Sequence, residues 1–160
     1  MTPIETELPD VVAILAQLLQ RVPRQDQPLL IAIAERMAAL RYRTWAAEMT
    51  EPDRAALLAC AGREEEIARR VESLYPAADS TQQELRRRNP DLDDLNRSLF
   101  AGRPLRQQFT IQAQGERLGA ATWRAFAEHA QDPTARATLQ ACAALEEENA
   151  AVLESLLQDE

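Results

Sequence analysis

Apolar residues recur along most of the chain at spacings of three and four, the period of an α-helix that buries one face. The first stripe follows Asp10, a residue type that caps helix N-termini, and stops at Pro23. Its members are Val11, Ile14, Leu15, Leu18, Leu19 and Val22. The pattern predicts an extra N-terminal helix over residues 9–22, packed by this stripe on the rest of the protein.

Prolines and capping residues divide the rest of the chain into further helical segments. The predicted helices span residues 26–49, 53–75, 80–88, 91–100, 104–130 and 133–158. Ser80, Asp91 and Asp132 are expected to cap the helices that follow them. The sequence therefore predicts an all-α fold.

An internal repeat organises these helices. Residues 59–67 return almost unchanged as residues 141–149, at an offset of 82, and upstream the repeat continues at an offset of 81. Each copy predicts a helical hairpin, over residues 28–75 and 104–158, with residues 76–103 as a long crossover. Two such hairpins make a four-helix bundle with approximate two-fold symmetry, expected to form one domain over residues 1–160.

Four glutamates occupy corresponding places in the repeat, and the helical period turns them toward the apolar stripes. They are Glu35, Glu64, Glu116 and Glu146. A buried carboxylate needs compensation, and clustered carboxylates repel one another. A bound cation, protonation or pairing with arginine would each provide it. The flanking arginines that can pair with them are Arg36, Arg63 and Arg117.

The spacing around these glutamates resembles the rubrerythrin branch of the ferritin-like superfamily. The segments that carry the resemblance are Glu35-x-x-Ala38-x-x-x-Tyr42-x-x-Trp45, Ala61-x-x-Glu64-x-x-Ile67, Glu116-x-x-Gly119-x-x-x-Trp123-x-x-Phe126 and Ala143-x-x-Glu146-x-x-Asn149. Bundles of this kind hold two metal ions with one Glu from each of two helices and Glu-x-x-His from each of the others. The resemblance implies a ferritin-like fold and an iron or manganese site with oxidase, peroxidase or iron-handling activity.

The chain departs from that pattern at both histidines, where it has Ile67 and Asn149. The remaining donors are oxygen atoms, which suit hard cations. The predicted metal ligands are Glu35, Glu64, Glu116, Glu146 and Asn149. We therefore expect a degenerate carboxylate site in a non-catalytic binding or structural protein, without ferroxidase activity. The alternative is a di-metal carboxylate protein, with iron or manganese, that keeps an oxidase, peroxidase or iron-handling activity.

Composition limits the other functions. The net charge of −8 argues against nucleic acid or anionic membranes as partners. With His129 as its one histidine, expected at the surface, the chain has little scope for a catalytic triad. Cys60 and Cys142 fall in predicted helices and favour a reducing cytoplasm over a disulfide framework. The absence of a signal-peptide pattern points the same way, and we expect a homo-oligomer, most simply a dimer.

Overall fold

The computed structural model describes residues 7–159, so the first residues and the last residue of the predicted 1–160 domain lie outside the described part. Within that range the chain forms seven α-helices and one short 3-10 turn at Arg24–Asp26. The α-helices are α1 (Val11–Gln20), α2 (Gln27–Ala47), α3 (Asp53–Glu72), α4 (Ala78–Arg88), α5 (Leu92–Ser98), α6 (Leu105–His129) and α7 (Pro133–Gln158). The prediction of an all-α fold is confirmed.

Two predicted caps hold the ends of helices as expected. The Asp10 carboxylate accepts a hydrogen bond from the Ala13 N–H at 3.1 Å at the start of α1. The Asp132 carboxylate accepts bonds from Thr134 and Ala135 at the start of α7, at 3.4 and 3.2 Å. Both aspartates satisfy amide groups that have no partner inside the first helical turn.

The boundaries around the crossover differ from the prediction. Helix α3 ends at Glu72 rather than near Tyr75, and α4 begins at Ala78, so Ser80 lies inside α4 and does not cap it. Asp91 precedes α5 but makes no side-chain bond to its first turn. Its carboxylate instead forms an ion pair at 2.9 Å with Arg21, at the end of α1. The side chain of Asp91 thus pairs with an arginine far away in sequence instead of capping the helix that follows it.

The long helices pack as two hairpins placed side by side. Helix α2 lies against α3, α6 lies against α7, and α3 and α7 join the two hairpins. Helix α4 packs on α2, while α1 lies against α6. Of the aromatic residues in the repeated segments, Tyr42, Trp45 and Trp123 are buried and Phe126 is half-buried.

Matching ion pairs connect the two helices within each hairpin. They are Arg36–Glu72 and Arg43–Glu65 in the first hairpin, and Arg117–Glu154 and Arg124–Glu147 in the second. Corresponding arginines are 81 residues apart and corresponding glutamates 82 residues apart, the same offsets as in the sequence repeat. The two copies of the sequence repeat therefore pair their helices through the same ion pairs.

No helix within residues 7–159 combines the length and apolar character needed to cross a membrane.

Candidate metal centre

All four predicted glutamates point into the interior between the long helices. Their exposed fractions are 8% for Glu35, 0% for Glu64, 1% for Glu116 and 1% for Glu146. Oxygen atoms of Glu35, Glu64 and Glu146 lie within 4.8 Å of one another, close enough to share one cation. We call these three residues the carboxylate triad. Glu116 lies beside the triad and interacts electrostatically with each of its members.

Glu116 is held by a network between α2 and α6. Its Oε1 accepts hydrogen bonds from the Tyr42 hydroxyl at 2.7 Å and from Gln112 Nε2 at 2.9 Å. The guanidinium of Arg41 in turn donates to Gln112 Oε1 at 3.1 and 2.7 Å, so it acts on Glu116 through an amide. Among the described residues, Glu116 Oε2 is buried without a hydrogen-bond partner.

Asn149 orients Glu64. Its side-chain N–H donates to Glu64 Oε1 and to the Cys60 carbonyl, both at 3.2 Å, and its Oδ1 accepts from Arg63 at 3.2 Å. These neighbours determine the amide orientation, because the opposite one would place N–H groups against the guanidinium. The Asn149 oxygen thus faces Arg63 and its nitrogen faces the triad; its role as a metal ligand stays a prediction.

Glu146 occupies a space that a glycine leaves open. Trp123 Nε1 donates to Glu146 Oε1 at 3.0 Å. A Cβ atom built on Gly119 would lie 2.9 Å from both Cδ and Oε1 of Glu146. The corresponding residue in the first half is Ala38, so this glycine is specific to the second half and allows α6 to approach the carboxylate.

We expect Gly119→Ala to displace the Glu146 carboxylate. If the triad binds a divalent ion, that displacement should weaken the binding about tenfold or more, the usual effect of disturbing a ligand's surroundings. Gly115→Ala is the matched control, one turn earlier on α6, because its added Cβ would meet no atom within 4 Å. The control should gain about 0.5–1 kcal/mol of stability from better helix propensity and keep its metal affinity. Titration calorimetry and thermal melts of both variants check this; equal metal affinities would contradict it.

The flanking arginines, which the sequence allows as partners of the glutamates, pair with other residues. Arg36 and Arg117 bind glutamates of the neighbouring helix in the matching ion pairs, and Arg63 Nε pairs with Glu148 at 2.8 Å. The reason is geometric: successive helical residues are about 100° apart, so a residue next to an inward-facing one points away from the interior. In the described part of the chain, none of the ion pairs involves the four glutamates.

Burial shapes the protonation of the cluster. Burial and the repulsion of neighbouring carboxylates raise the pKa of Glu64 and of Glu146 well above the usual value for glutamate. Burial also raises the pKa of Glu35. The pKa of the Tyr42 hydroxyl is raised well above its usual value by burial and by Glu116, so it stays a donor. Binding of a proton or of a cation is therefore favourable at this cluster, because either one reduces its negative charge.

The remaining candidate residues lie apart from this chemistry. His129 is exposed at the end of α6, as predicted. Cys60 and Cys142 are buried free thiols, and burial raises the pKa of each to about 12. Neither thiol is therefore activated as a nucleophile.

Comparisons with protein-family models, with curated proteins and with solved structures found no match.

Proposed function

We propose that this protein binds a divalent metal ion at its carboxylate triad, on a ferritin-like, rubrerythrin-like four-helix bundle. The observation that carries the proposal is the meeting of buried oxygens from Glu35, Glu64 and Glu146 within 4.8 Å. Within residues 7–159, Glu64 Oε2 is also buried without a hydrogen-bond partner. A divalent ion would supply the missing partner and offset the charge of the cluster together.

Three things could offset the charge of the buried glutamates: a bound cation, protonation or pairing with arginine. The contacts of the arginines argue against the third. The flanking arginines pair elsewhere. Arg41 interacts electrostatically with Glu35, Glu64 and Glu116, but it forms no ion pair with them and its hydrogen bonds reach Glu116 only through Gln112. A proton or a cation remains; protons neutralise the carboxyl groups singly, whereas one cation can contact all three at once. A divalent ion offsets two negative charges and allows three carboxylates to lie close together. This charge balance supports a bound metal ion at the triad.

The donor set favours manganese over a redox-active iron pair. The triad supplies only carboxylate oxygen, and Ile67 is a buried apolar side chain where the resembled family has a histidine. Carboxylate donors suit Mg²⁺, Ca²⁺ and Mn²⁺, whereas imidazole suits iron. We therefore propose binding without catalysis, as a metal-binding or metal-stabilised structural protein. The expected homodimer and the cytoplasmic location stay predictions.

Glu64→Gln should remove most Mn²⁺ binding, because it deletes one triad charge while keeping the shape of the side chain. Glu65→Gln is the matched control, since it deletes the same charge one residue along α3, where Glu65 pairs with Arg43 at 2.6 Å. We would purify all three proteins without chelator, measure bound metal by elemental analysis and titrate Mn²⁺ by calorimetry. Mn²⁺ binding that is absent in the wild type, or equal in both variants, would refute the proposal.

A further inference from the structure

The carboxylate triad and Glu116 line a cavity that extends beneath α1. Its volume is about 170 Å³, whereas one water molecule needs about 10–15 Å³. Helix α1 covers it with Val11, Ile14, Leu15 and Leu18. A space with an apolar cover and carboxylates along another wall matches an amphiphilic ligand better than a bare ion.

Glu116 provides the polar end of this space. It lines the cavity, is 1% exposed and lies outside the triad. Tyr42 and Gln112 both bond to its Oε1, while Oε2 receives no bond from an N–H or hydroxyl group among residues 7–159. The carboxyl groups of Glu64 and Glu146 are the neighbours that can hydrogen-bond with Glu116 when one of a pair is protonated. A buried carboxylate oxygen without a donor is unfavourable, and a ligand with N–H groups at this point would satisfy it.

The chemistry of the walls selects the class of ligand. A primary ammonium carries a positive charge and three N–H donors. Four glutamates line the cavity against one arginine, Arg41, so a carboxylate or phosphate head would meet more acidic than basic groups there. An alkyl chain on the ammonium would remove apolar surface from water beneath α1, which a bare ammonium ion cannot do. The carboxylate end and the apolar end of the cavity therefore both stabilise a bound ligand only if the ligand carries a positive charge and an alkyl chain in one molecule.

We propose that this cavity binds a short primary alkylammonium ion, with its NH₃⁺ group at Glu116 Oε2 and its alkyl chain beneath α1. The site lies next to the proposed metal ion but depends on a carboxylate outside the triad. It goes beyond metal binding, because it depends on Glu116 and on the apolar cover of α1, whereas the metal depends on the three triad carboxylates.

The test uses n-butylammonium as the probe, with metal-free protein in EDTA at neutral pH. n-Butanol has a similar chain without the charge, ammonium has the charge without the chain, and n-butyrate has the opposite charge. We expect saturable heat and a raised melting temperature with n-butylammonium, and binding at least roughly tenfold weaker with each comparator. No binding of n-butylammonium, or equal binding of n-butanol or ammonium, would overturn the proposal.

Variants separate the two ends of the site. Glu116→Gln should weaken n-butylammonium binding roughly tenfold or more, the scale of a charge-assisted hydrogen bond, while Glu65→Gln leaves it unchanged. Gly115 lines the cavity and has open space around its missing Cβ, so Gly115→Leu should fill the space and block the chain. Ala34→Leu, from the α2 wall, serves the same purpose if circular dichroism shows that the first variant is unfolded.

The metal experiment distinguishes failure of this site from failure of the triad. A cavity-filling variant should lose n-butylammonium binding, and a retained response to Mn²⁺ would assign that loss to the filled space rather than to a disturbed triad, whose carboxylates also line the cavity. The probe would be shown to bind elsewhere if Glu116→Gln, or a folded cavity-filling variant, fully retained n-butylammonium binding. That result would refute the proposed site.

Discussion

The metal-free protein should lose stability as the pH rises from 5 to 8. Burial raises the pKa of Glu35, Glu64 and Glu146 above the unfolded value of 4.5, so the folded state holds more protons than the unfolded state above that pH. The free energy of unfolding then falls with rising pH, by about 1.4 kcal/mol per unit for each carboxyl that stays protonated only in the folded state. This stability is fully present below pH 4.5 and is lost as the pH passes through the folded pKa values.

Other titrating groups do not cancel this trend. Ion pairs with arginine lower the pKa of several surface carboxylates, including Glu66 and Glu84, the latter to about 2. Their contribution changes below pH 4.5, outside the window. Arg41, the guanidinium closest in the network to the cluster, has its pKa lowered by burial only to about 10. Tyr42 and both cysteines titrate above the window as well.

Urea unfolding followed by circular dichroism at several pH values, with EDTA, measures this dependence. Glu64→Gln removes one of the three groups, so its slope should be shallower and its stability at pH 8 higher than that of the wild type. Added Mn²⁺ should offset the loss progressively toward higher pH, because a metal needs ionised carboxylates. Stability that stays level or increases from pH 5 to 7 in EDTA would contradict the prediction.

The helices and the inward positions of the glutamates follow from local patterns in the sequence. Pro23 and Pro133 mark helix boundaries, and the three-and-four spacing alone places Glu64 and Glu146 on the buried faces. The repeat offsets also relate Arg43 to Arg124 and Glu65 to Glu147, so the matching ion pairs have a signal in the sequence. Local patterns of this kind predict which way a side chain points from its own helix.

The contacts between helices are what the sequence does not predict. The destination of Arg36 depends on where Glu72 arrives on the next helix, and the role of Asn149 depends on Cys60 and Arg63, far away in sequence. The network through Gln112 also needs the spatial placement of α2 against α6. These relations depend on the packing of helices, which no spacing within one segment encodes.

The last prediction concerns the two positions where the resembled family has histidine. Ile67→His combined with Asn149→His would place an imidazole one helical turn after Glu64 and one turn after Glu146, on the same faces. Both positions are fully buried, and Asn149 already lies 3.2 Å from Glu64. If the metal lies at the triad, the two imidazoles add to its carboxylate donors, and Co²⁺ should bind the double variant more tightly than the wild type.

In EDTA the double variant should melt below the wild type. Ile67 is an apolar side chain with 0% exposure, so a polar ring there is unfavourable, and losing Asn149 removes the bonds that orient Glu64. Asn149→His alone should therefore melt higher than Ile67→His alone, because position 149 is already polar. Co²⁺ at a hundredfold excess over its dissociation constant should raise the free energy of unfolding by about 2.7 kcal/mol, because only the folded state binds it.

Thermal melts with and without Co²⁺, together with the d–d absorption of bound cobalt, measure both effects. Ile67→Asn is the matched control, since it buries a polar group at the same position without supplying an imidazole. It should lose stability as Ile67→His does but gain no additional response to Co²⁺ over the wild type. A folded double variant with no larger cobalt shift than this control would mean that the glutamates and the new imidazoles do not converge. The rubrerythrin-like interpretation of the site would then fail, even though the helical repeat and its matching ion pairs remain.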